Sequence, residues 1–276
     1  MGRLAGALVV LGAAVFGVLR TGGRTPSLHA APEIQQSPFA DTGKKTPVVV
    51  ELFTSEGCSD CPPADALLAR LEQTQPVPGV EVITLEEHVD YWDHQGWADP
   101  FSSADFTRRQ NEYAEAFRTY SIYTPQMVVD GRTEFVGSRD GAARQAIAEA
   151  ARSPKVAVHL RALGADKSDV PLDVRIEKLA GIATGNRAEV FLAITESHLH
   201  SNVGAGENSG RKLDHNGVVR RLERIGNTDA QLAEGFARQP VVKLSSHWNR
   251  SNLRAIVFIQ EKPSRHILGA AEIPLS

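Results

Sequence analysis

The feature that most constrains this chain is Glu51-Leu52-Phe53-Thr54-Ser55-Glu56-Gly57-Cys58-Ser59-Asp60-Cys61-Pro62-Pro63, which holds the only two cysteines of its 276 residues. A run of strand formers, Val48 to Phe53, leads in, and a helical pattern, Ala64 to Leu71, leads out. A thiol at a helix N-terminus meets unpaired backbone N–H groups and the positive end of the dipole, and both favour the thiolate. Cys58 is therefore expected to cap the helix and attack a partner disulfide. Cys61, one turn further in, would resolve the mixed disulfide. Pro62 and Pro63 fit the first helical turn, where a missing N–H costs little. This chemistry needs the sulfurs exposed to solvent. Glu56 and Asp60 work against ionisation, because nearby negative charge disfavours thiolate. Two other uses of the pair stay open: a structural disulfide, although so short a loop removes little chain entropy, and half of a metal site completed by His88 or His94.

The chain is long enough for two domains. A net charge of −3 argues against nucleic acid or an anionic membrane as partner. Residues 31–155 are acidic on balance and residues 156–276 basic, which reads either as two solvated surfaces or as attraction between two domains. Residues 1–30 have a signal-peptide layout: the positive Met1-Gly2-Arg3, the uncharged apolar run Leu4 to Leu19, and a cleavage point after Ala30. An uncleaved N-terminal anchor is the alternative. Residues 31–46 read as a flexible linker. Export implies an oxidising compartment, and hence a secreted or periplasmic protein with no membrane span in the mature chain.

Residues 47–54 read as a strand buried on both faces, residues 62–73 as a helix, and residues 80–86 as a second strand, so a parallel pair with a right-handed crossover is expected. Glu87-His88-Val89-Asp90-Tyr91-Trp92-Asp93-His94 follows at the sheet edge shared with the cysteines, where open α/β sheets bind ligands. Tyr91 and Trp92 are candidates for a substrate wall; His88 and Asp90 are candidate proton relays. A helical insertion leads to Tyr123-Thr124-Pro125-Gln126, where a cis-proline before a strand and an Asp130-Gly131 hairpin are expected. A helix through Arg152 closes the segment. From residue 156 about seven short alternating segments separated by turns suggest an immunoglobulin-like β-sandwich. His198, His200 and His215 are a further candidate metal group.

The order strand, Cys-x-x-Cys helix, strand, insertion, Pro-strand, strand, helix is the thioredoxin order. Glu51 to Asp65, His88-Val89-Asp90-Tyr91-Trp92-Asp93 and Tyr123-Thr124-Pro125-Gln126 together resemble the signatures of a secreted bacterial family filed as domain of unknown function 1223 and grouped with thioredoxin-like proteins. The resemblance implies a fold and an exported setting but no substrate.

The sequence therefore predicts an α/β thioredoxin-like domain over 47–154, a mixed sheet with flanking helices, followed by an all-β immunoglobulin-like sandwich over 155–276. The leading function is an exported thiol–disulfide oxidoreductase. Cys58 and Cys61 are catalytic, Pro125 faces the sulfurs, and Thr124, Trp92 and Tyr91 hold an extended substrate. Glu56, Asp60, His88 and Asp90 tune charge or relay protons. Expected partners are protein thiols or disulfides of the cell envelope; no cofactor or resident metal is expected, and the sequence is silent on oligomeric state. The alternatives are a non-enzymatic envelope binding module with a structural disulfide, and a metal-binding protein using the cysteines and His88.

Overall fold

The computed structural model describes residues 45–164, 168–178, 187–229 and 235–276. The expected signal peptide, 1–30, and nearly all of the expected linker, 31–46, lie outside the described residues. Strand β1, Thr46–Thr54, is as apolar as its sequence demands: Val48, Val49, Val50, Leu52 and Phe53 are all sealed from solvent. Helix α1, Pro62–Thr74, crosses to β2, Val80–His88, which pairs with β1 in parallel from Thr46↔Val80 to Thr54↔His88. Helix α2, Ala104–Phe117, is capped by Ser103, whose hydroxyl accepts from the Asp105 N–H. Strands β3, Gln126–Val129, and β4, Thr133–Val136, form a hairpin beside β1. Its turn residues Asp130 and Gly131 both have positive φ, 55° and 64°, as suits a tight hairpin turn closed by the Arg132 N–H donating to the Val129 carbonyl. A Cβ at Gly131 would sit 1.8 Å from the Arg265 carbonyl oxygen, so the position needs glycine. Helix α3, Asp140–Ala150, follows.

Successive side chains of β1 point to opposite faces. Val48, Val50 and Leu52 pack with α1 and α3; Val49 and Phe53 pack with α2. The second half supplies β5, Val158–Ala162; β6, Asp169–Ile176; β7, Arg187–Glu196; β8, Leu199–Asn202; β9, Lys212–His215; β10, Val218–Asp229; β11, Phe236–Arg238; β12, Val241–Lys243; β13, Leu253–Glu261; and β14, Ile267–Pro274.

Here the expected architecture fails. There is no thioredoxin-like domain followed by a separate immunoglobulin-like sandwich. One mixed sheet of eight strands, in the order β14-β13-β7-β10-β2-β1-β3-β4, runs through both halves of the sequence. Residues Gly43–Ser276 form one compact unit. The reason is the free edge of β2. Within residues 47–154 only β1 pairs with β2, so the opposite edge of β2 is left with unpaired backbone groups. Strand β10 fills that edge, in register at Val218↔Glu86 and through the Glu86 N–H donating to the Gly217 carbonyl. Strands β5, β6, β11 and β12 form a smaller sheet, and β6 and β12 share an apolar core with β7 and β13. Local alternation finds most of these strands, but it cannot say which edge each one joins.

A buried charge cluster ties α2 to the sheet. The Arg109 side chain is 5% exposed, and its Nε donates to Glu51 Oε2 at 2.5 Å and lies 3.4 Å from Glu87 Oε1. Its other nitrogens donate to Gln260 on β13 and to the Tyr113 hydroxyl. The guanidinium also stands 5.3 Å from the Phe191 and Phe258 rings. Burial, and then the neighbouring Glu51 carboxylate, push the Glu87 carboxyl well above its usual range. Removing one member of such a cluster strands the remaining charges in the interior. Arg109→Ala should lower stability by about 3–5 kcal/mol. Arg108→Ala, whose side chain is 65% exposed in a surface pair with Asp105, should change it by less than about 0.5 kcal/mol. Urea denaturation of both variants at neutral pH measures the contrast, and equal midpoints would refute it.

Candidate functional site

Beyond Thr54 the chain turns through residues 55–61 before α1 begins. Cys58 N–H donates to the Ser55 carbonyl and Cys61 N–H to the Cys58 carbonyl. The helix N-cap is Cys61, with Pro62 and Pro63 in the first turn. Cys58 thus lies a turn ahead of the expected cap position. The two cysteines form a disulfide with Cα atoms 5.4 Å apart. Neither is exposed: Cys58 retains 2% of its surface and Cys61 none. The solvent-exposed sulfurs expected from the sequence are therefore absent, although Ser59 and Asp60 between them face water. With the sulfurs bonded to each other, the reading of the cysteines as metal ligands with His88 also fails.

Three segments cover the turn. A Cβ at Gly57 would stand 3.1 Å from Trp92 Cβ, so glycine allows Trp92 its close approach. Trp92 Nε1 donates to Thr124 Oγ1 at 2.8 Å. The Thr124–Pro125 bond is cis. Gly137 N–H donates to the Pro125 carbonyl, and a Cβ there would meet both Pro125 and Ala64 of α1. Trp92 thus reaches the cysteine turn and holds Thr124, while Pro125 lies across Gly137 from Ala64 of α1. The third segment is the loop before β9. Asn208, fully buried, donates from Nδ2 to the carbonyls of Glu56 and Cys58, both at 2.9 Å. Glu207 accepts from the Ser59 N–H, and the Ser59 side chain and then this N–H hold its carboxyl below the usual range. Trp97 packs against Gly204 and Gly206 and donates from Nε1 to Glu56 Oε2 at 2.7 Å. Nothing in the sequence pattern of residues 203–211 announced this covering role.

Beneath the turn lies a group of buried ionisable side chains. His88 is fully buried, with Nδ1 2.7 Å from Asp99 Oδ2. Glu86 accepts from His215 Nδ1 at 2.7 Å and from the Asn216 N–H at 2.9 Å. His215 Nε2 is 3.2 Å from Glu56 Oε1. Burial pulls the His88 pKa down, but Asp99 and Glu86 raise it to about 9. For His215 burial is likewise outweighed, mainly by Glu86 and then Glu56, to about 11. Burial raises Glu86, yet the two imidazoles bring it down to about 2. Asp65 accepts from Thr54; burial and then Glu86 lift it to about 7 against the pull of the two imidazoles.

Of the proposed tuning residues, Glu56 and His88 belong to this cluster. Asp60 is exposed. Asp90 instead accepts from Thr107 Oγ1 at 2.6 Å and anchors α2. Tyr91 packs partly buried with the core on the α2 side of the sheet. The metal group of three histidines does not form, because His198 and His200 are exposed and only His215 turns inward. Sequence reasoning missed Glu86, Asp99 and Asp65. One signal existed: Glu86 and His88, two apart on a strand, must share a face. Beside the cluster opens a groove of about 820 Å³ that includes Phe101, Arg220, Arg221, Lys243 and Trp248. The Arg220 guanidinium stands 5.3 Å from the Phe101 ring and 5.6 Å from Trp248. Phe101 in turn meets both imidazoles, with ring centroids at 5.3 and 5.5 Å. Among the described residues no helix is long and apolar enough to cross a membrane.

The sequence model of the family described as "Protein of unknown function (DUF1223)" matches residues 49–260. Among solved structures, the chain is similar to the crystal structure of a protein from Agrobacterium tumefaciens. The two are 24% identical with a TM-score of 0.63, over 84% of this chain and 96% of that one. It is also similar to HBP35 of Porphyromonas gingivalis, 15% identical with a TM-score of 0.60, over 84% and 76% of the two chains. Both likenesses speak to the fold alone. None of the curated proteins matches.

Asn208→Ala should cost about 1–3 kcal/mol, because it leaves the buried Glu56 carbonyl without its donor and takes from the Cys58 carbonyl the second of its two donors. Hydrogen exchange should then quicken at the amides of residues 55–61 while those of β1 keep their protection. Unchanged exchange in the turn would show that Asn208 does not hold it.

Proposed function

The chain belongs to the family of proteins of unknown function DUF1223, a membership that carries no activity with it, and we propose that it is an exported, non-enzymatic binding module whose Cys58–Cys61 disulfide is structural. One observation carries the reading: the sulfurs are bonded to each other and closed off from solvent, 2% and 0% exposed. A nucleophile must reach its target, and an attacking thiolate needs access. The disulfide instead clips the turn that carries Glu56 and precedes α1. Export is supported by the disulfide itself, which persists in oxidising compartments, and by the signal-like residues 1–30. The binding face we assign is the groove at Phe101 and Trp248. Arg220 between two aromatic rings, with Arg221 and Lys243 near, suits a carboxylate-bearing envelope partner.

Thiol–disulfide exchange is the second reading, and exposed Ser59 and Asp60 favour it. They leave the bonded pair just under the surface, covered by the Asn208 loop. Displacing that loop would present Cys58 to a partner thiol, with Pro125 and Thr124 beside it.

A redox titration with alkylation and mass spectrometry separates the two readings. A structural disulfide should survive glutathione in native buffer and yield only in denaturant, with a potential below about −300 mV. Ready reduction of the native chain, or rapid reduction of insulin by it, would replace the first reading by the second. The double variant Cys58→Ser/Cys61→Ser should keep its fold and lose roughly 2 kcal/mol of stability. Titration with a polyglutamate peptide tests the binding face: Arg220→Ala should weaken binding about tenfold or more, and the double cysteine variant should bind as the wild type does.

A further inference from the structure

Three side chains below the cysteine turn aim donor atoms at one point. Glu86 and His88 share a face of β2, and His215 arrives from the end of β9. One donor atom from each lies within 4.8 Å of the other two, and all three residues are buried. His88 Nε2 stands 3.5 Å from Glu86 Oε1 yet makes no hydrogen bond. Its Nδ1 is taken by Asp99 Oδ2 at 2.7 Å. A neutral imidazole that donates from Nδ1 turns the Nε2 lone pair toward a carboxylate oxygen, which also only accepts. Positive charge at Nε2 resolves that conflict, either a proton, which Asp99 and Glu86 favour, or a metal ion in its place. His215 also lies between two carboxylates, with Nδ1 hydrogen-bonded to Glu86 Oε1 at 2.7 Å and Nε2 3.2 Å from Glu56 Oε1 without a hydrogen bond. Each ring thus presents one nitrogen to Glu86 and the other to a second buried carboxylate. Metal-bound histidines are oriented in this way, by a carboxylate on the far nitrogen.

We propose that Glu86 Oε1, His88 Nε2 and His215 Nδ1 bind one divalent transition-metal ion of the zinc class, with Asp99 and Glu56 as positioning residues for the two imidazoles. Two imidazole nitrogens and one carboxylate oxygen are a zinc-type donor set, and three protein ligands leave a fourth position for water or a small ligand. A tetrahedron with bonds of about 2.0–2.1 Å has edges of roughly 3.3 Å. The separations of 2.7 and 3.5 Å from Glu86 Oε1 bracket that edge, and the two imidazole nitrogens lie within 4.8 Å of each other, so side-chain shifts seat the ion. The ion takes the place of the proton shared by His215 Nδ1 and Glu86. The charge fits as well, since Glu56, Glu86 and Asp99 are three buried carboxylates around one point. Calcium and magnesium prefer all-oxygen shells and match the imidazoles poorly. The Phe101 ring both lines the groove and packs on the two imidazoles. None of the three ligands lies on the disulfide turn, which reaches the site only through Glu56.

The test is titration of the tag-free full chain, first dialysed against a chelator, with cobalt(II) and then zinc(II). The expected result is the visible absorption of a four-coordinate cobalt complex, saturating at about one equivalent and displaced by zinc, with a zinc-dependent rise in Tm. Asp99→Asn should weaken zinc binding 10–100-fold, and exposed His200→Gln should leave it unchanged. His88→Gln and His215→Gln should abolish the cobalt absorption; if either fails to fold, Asp99→Asn decides. Absence of both the absorption and the Tm rise in the wild-type chain overturns the proposal and leaves a buried cluster of imidazolium and carboxylate groups. Undiminished zinc affinity in a folded His88→Gln chain overturns it equally.

Discussion

The carboxylate of Glu86 holds the two halves of this protein together. It sits near the end of β2 with no exposure to solvent. All the hydrogen bonds it accepts come from far along the chain: His215 Nδ1 to one oxygen and the Asn216 N–H to the other. Its own N–H donates to the Gly217 carbonyl at 2.9 Å. A carboxylate taken out of water needs compensation on this scale, because an unpaired one in the interior costs several kcal/mol. Strand β2 therefore buries Glu86 only when the turn between β9 and β10 is docked. The same contact places β10 on the edge of β2 and so makes one sheet out of two halves. Arg109 does the corresponding work on the other side of β2, joining Glu51 and Glu87 to Gln260 on β13.

This dependence explains why the cysteine turn is closed. The loop before β9 is drawn to the turn by the docking that satisfies Glu86. Once there, Asn208 and Glu207 take up the exposed backbone of residues 56–59. The sulfurs are buried by a segment about 150 positions away in sequence. The groove at Phe101 has the same origin, with residues before α2 forming one wall and β10 with Lys243 to Trp248 forming the other.

Much of the first half was legible. The strand, helix, strand order and the Asp130-Gly131 hairpin follow from local rules. Prolines mark a first helical turn, Asp-Gly makes a tight turn, and continuous apolar runs mark buried strands. The second half was legible strand by strand and misread as a whole. Residues such as Ala188 to Glu196 alternate as any sheet strand does, and alternation carries no information about partners. In the site, His88 stood out but Glu86, Asp99 and His215 did not stand out as its companions. Their common feature is convergence from β2, the loop before α2 and β9, which spacing along the chain cannot express.

The sequence by itself determined the secondary structure around the cysteines, the parallel pairing of β1 with β2, and the placing of Glu86 and His88 on one face, since all of these rest on contacts between neighbours or on the period of the backbone. Tertiary structure alone decided that the sulfurs are buried, that the two halves share a sheet, and that four carboxyl groups gather around two imidazoles. Each of those outcomes depends on an edge or a charge that finds its partner a hundred or more residues away, and the free energy of such a match belongs to the pair and to neither segment alone.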